Sequence, residues 1–316
     1  MSILFLVVGL AMLVIGAEWL VRGATSVGQM LRLTPLVIGL TIVGFGTSSP
    51  ELAVGVNSAW VGASDIAVGN VLGSNVFNIF VILGISAIIL PLGVQPQLLR
   101  LDVPLLIVIS IIVAIISTDG LISKMEGGCL LFGLVVYTLN LARLGRKAES
   151  TPKSDSIENS ISVKKFATSV GLIGIGLAFL VVGSRLFVGG AIVIAKFFGI
   201  SEIVIGLTIV AAGTSLPELV TSVVASCRGK GEVAIGNVVG SNIFNLLGVL
   251  GASSILSSGG LCVSANVLRL DLPLVILSAV VCWPIIFSGR RITRMEGCFL
   301  FSCYLIYVSY LIFSNT

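Results

Sequence analysis

Apolar residues run along this chain in long stretches, separated by short polar intervals. Spanning a bilayer as a helix takes about 20 apolar residues. Ten stretches meet that measure, at roughly 3–21, 36–60, 66–91, 103–118, 126–142, 167–195, 203–227, 233–257, 272–288 and 297–313. The one extended polar interval, around Arg143 to Lys165, carries ESTPKSDSIENS at its centre and is too short to build a core of its own. The pattern predicts an all-α polytopic membrane protein with ten transmembrane helices. The first stretch has no basic segment before it, which predicts a spanning helix rather than a cleaved signal.

Composition agrees with the pattern. Of 316 residues, 56 % are hydrophobic and only 10 % charged, and mean hydropathy is +1.16. A soluble domain carries roughly 25 % charged residues, so a water-soluble globule is excluded. The net charge of +4 is too small for a nucleic-acid binder. With no histidine in the chain, every mechanism that needs a histidine base or ligand is excluded as well. The six cysteines show no CxxC pairing and read as small hydrophobes.

Ten spans put both termini on one side and the polar interval on the other. Sorted this way, 14 of the 18 Lys and Arg fall on the side of the interval. The positive-inside rule then makes 144–166 a cytoplasmic linker, with both termini extracellular or periplasmic. The expected location is the cell membrane, as a multi-pass protein.

The chain also contains itself twice. LVIGLTIVGFGTSSPELAV at Leu36 returns as IVIGLTIVAAGTSLPELVT at Ile203, an offset of 167 that holds through GNVLGSNVFN and GNVVGSNIFN. From Leu36 to Asn78, 24 of 43 positions match their counterparts. RLDVPLL at Arg100 returns as RLDLPLV at Arg269, and KMEGG at Lys124 as RMEGC at Arg294. The halves are 1–143 and 167–316, joined by 144–166. Five spans in each is an odd number, so the second half enters the bilayer inverted, an arrangement of secondary transporters.

The matches concentrate where a helix is least comfortable. Pro50 lacks the N–H that would bond the carbonyl of Gly46, and Pro217 does the same to Gly213. The expectation is a broken helix in each half, with backbone oxygens near Gly44–Thr47 and Ala211–Thr214 released. Mid-span Glu51 and Glu218 cost on the order of 3 kcal/mol or more to insert, which marks them as functional. Thr47 and Ser48 share the helix face of Glu51. The third span of each half adds a polar stripe, Asn70-Ser74-Asn78 and Asn237-Ser241-Asn245, and its glycines permit close helix approach. Two bidentate carboxylates and two carbonyls make six hard oxygens, which suits calcium. Hydroxyls and amides nearby suit monovalent cations.

These residues resemble the sodium/calcium exchanger branch of the cation/calcium exchanger superfamily, in its compact prokaryotic form. The resemblance covers nearly the whole chain through GTSSPE, GTSLPE and the paired GNxxGSNxFN segments. It implies a central bundle of spans 2, 3, 7 and 8, with long spans 1 and 6 sliding past it. It implies calcium at Glu51, Glu218 and the backbone oxygens of Thr47 and Thr214. Sodium would use Gly44, Ser48 and Ser74 on one side and Ala211, Ser215 and Ser241 on the other, with Asn78 and Asn245 in the middle. The family exchanges three sodium for one calcium, with no cofactor, and the expected functional unit is a monomer. Glycine-rich stretches such as Gly183–Gly190 would ease the slide.

Three departures refine the expectation. Asn245 stands where potassium-dependent relatives carry aspartate, which favours potassium-independent exchange. Gly73 and Gly240 stand where proton-coupled relatives carry glutamate. The short linker leaves no room for a folded calcium sensor. A proton- or potassium-coupled antiporter and a cation channel remain as alternatives. An intramembrane protease is disfavoured, because there is no histidine and Asp65, Asp102, Asp119 and Asp271 all fall near span ends.

Overall fold

A computed structural model of the chain describes residues 2–148, 163–200, 205, 208–209, 211–287 and 289–315. It is almost entirely helical: α1 Ser2–Met30, α2 Pro35–Thr47, α3 Ser49–Trp60, α4 Ser64–Ile89, α5 Leu98–Ile116, α6 Lys124–Ala148, α7 Val163–Phe197, α8 Leu216–Cys227, α9 Gly231–Leu256, α10 Val267–Phe287 and α11 Arg294–Asn315. Among the described residues, seven of these are long and apolar enough to cross a membrane, and α2 with α3 makes an eighth if they count as one span. Most of the expected linker, 149–162, and most of 201–210 lie outside the described residues. Helix continues to Ala148 and resumes at Val163, so both ends of the expected linker are helical.

Local chemistry explains the boundaries. Thr34 caps α2 through its hydroxyl, which accepts from the Val37 N–H at 3.3 Å, and Pro35 follows at the first helical position. The α6 and α11 starts are matching capping boxes: Glu126 accepts the Ser123 N–H at 2.7 Å, and Glu296 accepts the Thr293 N–H at 2.7 Å. The broken helix expected at Pro50 is present. Ser48 leaves helical geometry (φ −80°, ψ 9°), and α2 and α3 meet at a 45° bend. Ser215 repeats that conformation (φ −90°, ψ 6°) at the start of α8. Single π-helical turns open at Asn78 in α4 and at Asn245 in α9, a local widening that recurs at functional sites.

Burial sorts the helices into a centre and a periphery. Along its apolar window α9 is 94 % buried and α4 78 %, whereas α1, α5, α6, α7 and α10 are between 22 % and 33 % buried. The centre is thus α4 and α9 with the broken segments packed on them. Gly236 and Gly240 of α9 lie against the backbone of Leu36, Gly39 and Leu40. Among the described residues a Cβ at Gly69 or Gly73 meets nothing within 4 Å, and the counterparts of Leu36, Gly39 and Leu40 at 203, 206 and 207 lie outside the described residues.

The two long helices, α1 and α7, lie along each other. Glycines recur every seven residues on both, at 9, 16 and 23 and at 176, 183 and 190. A Cβ at any of the six would come within 2.6–2.9 Å of the partner's backbone. This corrects the expected role of Gly183 and Gly190. They join the two helices to each other instead of forming a smooth face toward the bundle.

Two short antiparallel ribbons complete the fold. Leu92–Gly93 (β1) pairs with Arg291–Ile292 (β4), and Leu121–Ile122 (β2) pairs with Leu261–Cys262 (β3). The whole of α5 separates Gly93 from Leu121, so the ribbons tie loops at opposite ends of the bundle.

Candidate ion-binding site

The broken helices carry the carboxylates inward. Glu51 sits in the first turn of α3 and Glu218 in the first turn of α8, and both are fully buried. Each is held by a hydroxyl from the other half of the chain. Ser48 Oγ donates to Glu218 Oε1 at 2.8 Å, and Ser215 Oγ donates to Glu51 Oε1 at 3.0 Å. Ser74 of α4 stands 3.4 Å from the same Glu51 oxygen and 3.0 Å from Ser215.

Asn70 and Asn237 form a second exchange between halves. The Asn237 amide donates to the Glu218 backbone carbonyl at 3.2 Å, and its Oδ1 accepts from the Thr47 hydroxyl at 3.1 Å. Asn70 does the same for the Glu51 carbonyl at 3.4 Å and the Thr214 hydroxyl at 3.2 Å. These asparagines fix the broken ends against α4 and α9. Thr47 is buried and Thr214 half-buried, each one residue before the break.

The central amides are oriented by partners that sequence reasoning missed. Asn75 donates through Nδ2 to the Asn242 carbonyl at 3.4 Å, so its Oδ1 is turned to accept from Asn245 at 3.2 Å. Asn242 likewise donates to the Asn75 carbonyl at 3.3 Å and accepts from Asn78 at 2.9 Å. A backbone carbonyl can only accept, so each amide orientation follows from the one before it. The result turns Oδ1 of Asn78 and of Asn245 away from every donor. The signal was present in the sequence, because both GSN segments carry Asn75 and Asn242 one residue off the polar stripe.

Among the described residues, four oxygens are thereby left as buried acceptors without a hydrogen-bond partner: Glu51 Oε2, Glu218 Oε2, Asn78 Oδ1 and Asn245 Oδ1. They form two symmetry-matched pairs, and none of them can donate unless a carboxyl is protonated. Burying such groups unpaired is costly, and oxygens of this kind are the ligands that hard cations take.

The remaining predicted residues fall close by, with one correction. Gly44 was expected to offer a released carbonyl. That oxygen accepts from the Ser48 N–H at 3.1 Å and from Ser241 Oγ at 3.2 Å. The Gly44 carbonyl is therefore held within the helix and against Ser241. Ala211 opens a single helical turn, Ala211–Gly213, and its side chain lies outside the described residues.

Access differs at the two ends. Toward Trp60, a cavity of about 920 Å³ runs between α3 and α7, past Ser49, Pro50, Asn57, Arg185 and Val188 to Thr214. At the other end α1 packs on α8. There Glu18 pairs with Arg22 on its own helix and also accepts from Arg228 at 3.0 Å, and Lys230 donates to Thr25 at 3.1 Å. Burial lowers the Lys230 pKa, with the nearby Glu18 charge opposing that shift.

Known proteins resemble this chain in sequence and in fold. A family profile described as sodium/calcium exchanger protein matches residues 1–142 and 168–313. The chain is 36 % identical to the putative antiporter CaxA of Alkalimonas amylolytica, over 99 % of this chain and 98 % of that one. It is 31 % identical to the sodium/calcium exchanger MaX1 of Methanosarcina acetivorans, over 97 % of each. The fold matches a solved structure of the sodium-calcium exchanger NCX_Mj with a TM-score of 0.82 at 31 % identity, covering 98 % of this chain and 97 % of that one. The chain is a membrane transporter, not an enzyme, and belongs to the sodium/calcium exchanger protein family.

Proposed function

We propose that the protein is a sodium/calcium antiporter that binds both ions at one shared site around Glu51 and Glu218. The observation that carries this reading is the set of four buried acceptor oxygens on Glu51, Glu218, Asn78 and Asn245. Two carboxylates balance one calcium or two sodium ions, so the two loads exclude one another electrostatically. Calcium takes the carboxylates with the backbone oxygens of Thr47 and Thr214. Sodium takes the flanking oxygens of Gly44, Ser48 and Ser74, and of Ala211, Ser215 and Ser241, with Asn78 and Asn245 completing the centre.

The architecture proposed for this activity has ten spans, as two inverted five-helix halves, 1–143 and 167–316, joined by a cytoplasmic linker, 144–166. Both termini face the outside of the cell membrane, and a monomer is the working unit. The cavity reaching Thr214 from the Trp60 end supports an outward-open site, and the Glu18–Arg228 contact supports closure on the cytoplasmic side. Alternating access then consists of α1 and α7 shifting together across the bundle.

Calcium uptake into proteoliposomes loaded with sodium tests the reading. Uptake driven by outward sodium, absent when lithium or potassium replaces it, is the expected result. Uptake driven equally by a proton or potassium gradient without sodium would overturn the choice of coupling ion.

A further inference from the structure

The two loop ribbons give the fold an internal control, because they are built alike and differ at the residue that precedes β4 and β2. The Val94 N–H donates to the carbonyl of Arg290 at 2.9 Å, and the Val263 N–H donates to the carbonyl of Gly120 at 2.8 Å. Arg290 and Gly120 therefore hold the same place, one residue before β4 and one before β2. That place requires left-handed backbone: φ is +83° at Gly120 and +53° at Arg290. Glycine adopts it freely, whereas a residue with a Cβ loses on the order of 1 kcal/mol. One ribbon uses the inexpensive residue. The other keeps an arginine against a conformational cost, and such an outlier points to a use for the side chain.

The surroundings of Arg290 indicate that use. It lines a cavity of about 550 Å³ at the junction of α5 and α10, together with Arg100, Leu99, Pro104, Trp283 and Phe287. Among the described residues neither guanidinium is paired with a carboxylate. Asp102, two residues beyond Arg100, is engaged elsewhere, by the Tyr137 hydroxyl at 3.1 Å and by Gln97 at 3.2 Å. Trp283 and Phe287 are 46 % and 68 % exposed, one turn apart on α10. Counted back from the other ribbon, their places are held by Val113 and Ser117, and Asp119 replaces Gly289. A pair of arginines and exposed aromatic surface occur together at this end of the molecule and not at its equivalent, while the nearby Glu232 is engaged by Gln95 at 2.7 Å.

We infer that this cavity is a binding site for an anionic phospholipid, with the phosphate between Arg100 and Arg290 and an acyl chain along Trp283 and Phe287. The chemistry selects that class. Two unpaired guanidiniums match a phosphate, and the exposed aromatic surface lies just inside the end of a spanning helix. Basic pockets between spans on the cytoplasmic side hold such headgroups. The end concerned is also the one that carries most of the chain's lysines and arginines. Nothing in this assignment depends on which ions are exchanged.

Native mass spectrometry of the detergent-purified full chain with added phosphatidylglycerol or phosphatidylcholine tests it. Arg290→Gly is the informative variant, because it restores the residue that the equivalent ribbon already uses and so relieves the backbone. The protein should retain phosphatidylglycerol over phosphatidylcholine. Arg290→Gly and Arg100→Gln should each lower that retention roughly fivefold, while Arg269→Gln at the opposite end leaves it unchanged. Thermal melting should show Arg290→Gly at least as stable as the parent without lipid, and no longer stabilised by phosphatidylglycerol. Equal retention by Arg290→Gly and the parent, or no preference over phosphatidylcholine, would overturn the site. Protection by inorganic phosphate equal to that by the lipid would overturn the phospholipid as its occupant.

Discussion

Ser48 Oγ lies 2.8 Å from Oε1 of Glu218, and its counterpart Ser215 lies 3.0 Å from Oε1 of Glu51. Each half of the chain thus orients the carboxylate of the other. One oxygen of each glutamate is fixed by a neutral donor and the second is left free of donors. The swap makes the site a joint property of both halves. Ser48→Ala and Ser215→Ala should each weaken calcium binding by about tenfold, the scale of a hydrogen bond to a charged group. Calorimetry of both variants checks this, and a large loss in one with none in the other would contradict reciprocal support.

Removing either charge should have a larger effect. With one carboxylate left, a divalent ion is no longer balanced in an interior of low dielectric. Glu51→Gln and Glu218→Gln should each abolish sodium-driven calcium uptake in proteoliposomes, with folding monitored by size-exclusion profile. Full exchange in either single variant would mean that the two glutamates do not form one site.

The asparagine clamp separates ligand from support. Asn75→Leu removes the acceptor that holds the Asn245 amide, and Asn242→Leu does the same for Asn78. Each should lower calcium affinity by about tenfold through lost orientation, with both glutamates intact. Asn245→Asp instead adds a third carboxylate beside two. Like charges at one locus attract protons, so calcium uptake measured across pH should become more acid-sensitive than in the parent.

The seam between α1 and α7 predicts a stability effect remote from the ions. Gly16→Leu or Gly183→Val drives a side chain into backbone 2.7–2.9 Å away. Overpacking of this kind costs about 1–3 kcal/mol, so both variants should melt several degrees lower. Gly171→Ala, on the same helix with nothing within 4 Å, is the control and should melt no lower than the parent.

Much of the candidate site is legible in the sequence. Pro50, Glu51, Pro217 and Glu218 broke local rules of helix and membrane in the same way twice, and a rule broken twice at one offset marks chemistry. Less readable was which half each side chain serves, because Ser48 and Glu51 share a face in sequence while Ser48 bonds Glu218 in space. Asn75 and Asn242 were missed for a related reason. They lie off the stripe that faces the carboxylates, and their role appears only once the two central helices are set against each other. Helical periodicity ranks the faces of one helix and carries no information about its neighbour. Gly183 and Gly190 were misassigned on the same account, since small residues at spacing seven reveal a tight contact but not the partner.

The glycine seam also bears on leakage. With no side chains between their backbones along six matched positions, α1 and α7 behave as a single stiff beam. Glu18 on α1 and Arg185 on α7 sit at different levels of that beam, about 16 Å apart by helical rise, Glu18 against Arg228 and Arg185 beside the cavity that reaches Thr214. Under the alternating access proposed above, tilting such a beam to free one end of the site would bring it down on the other. Two separate flaps could open together and short-circuit the membrane; a seesaw cannot.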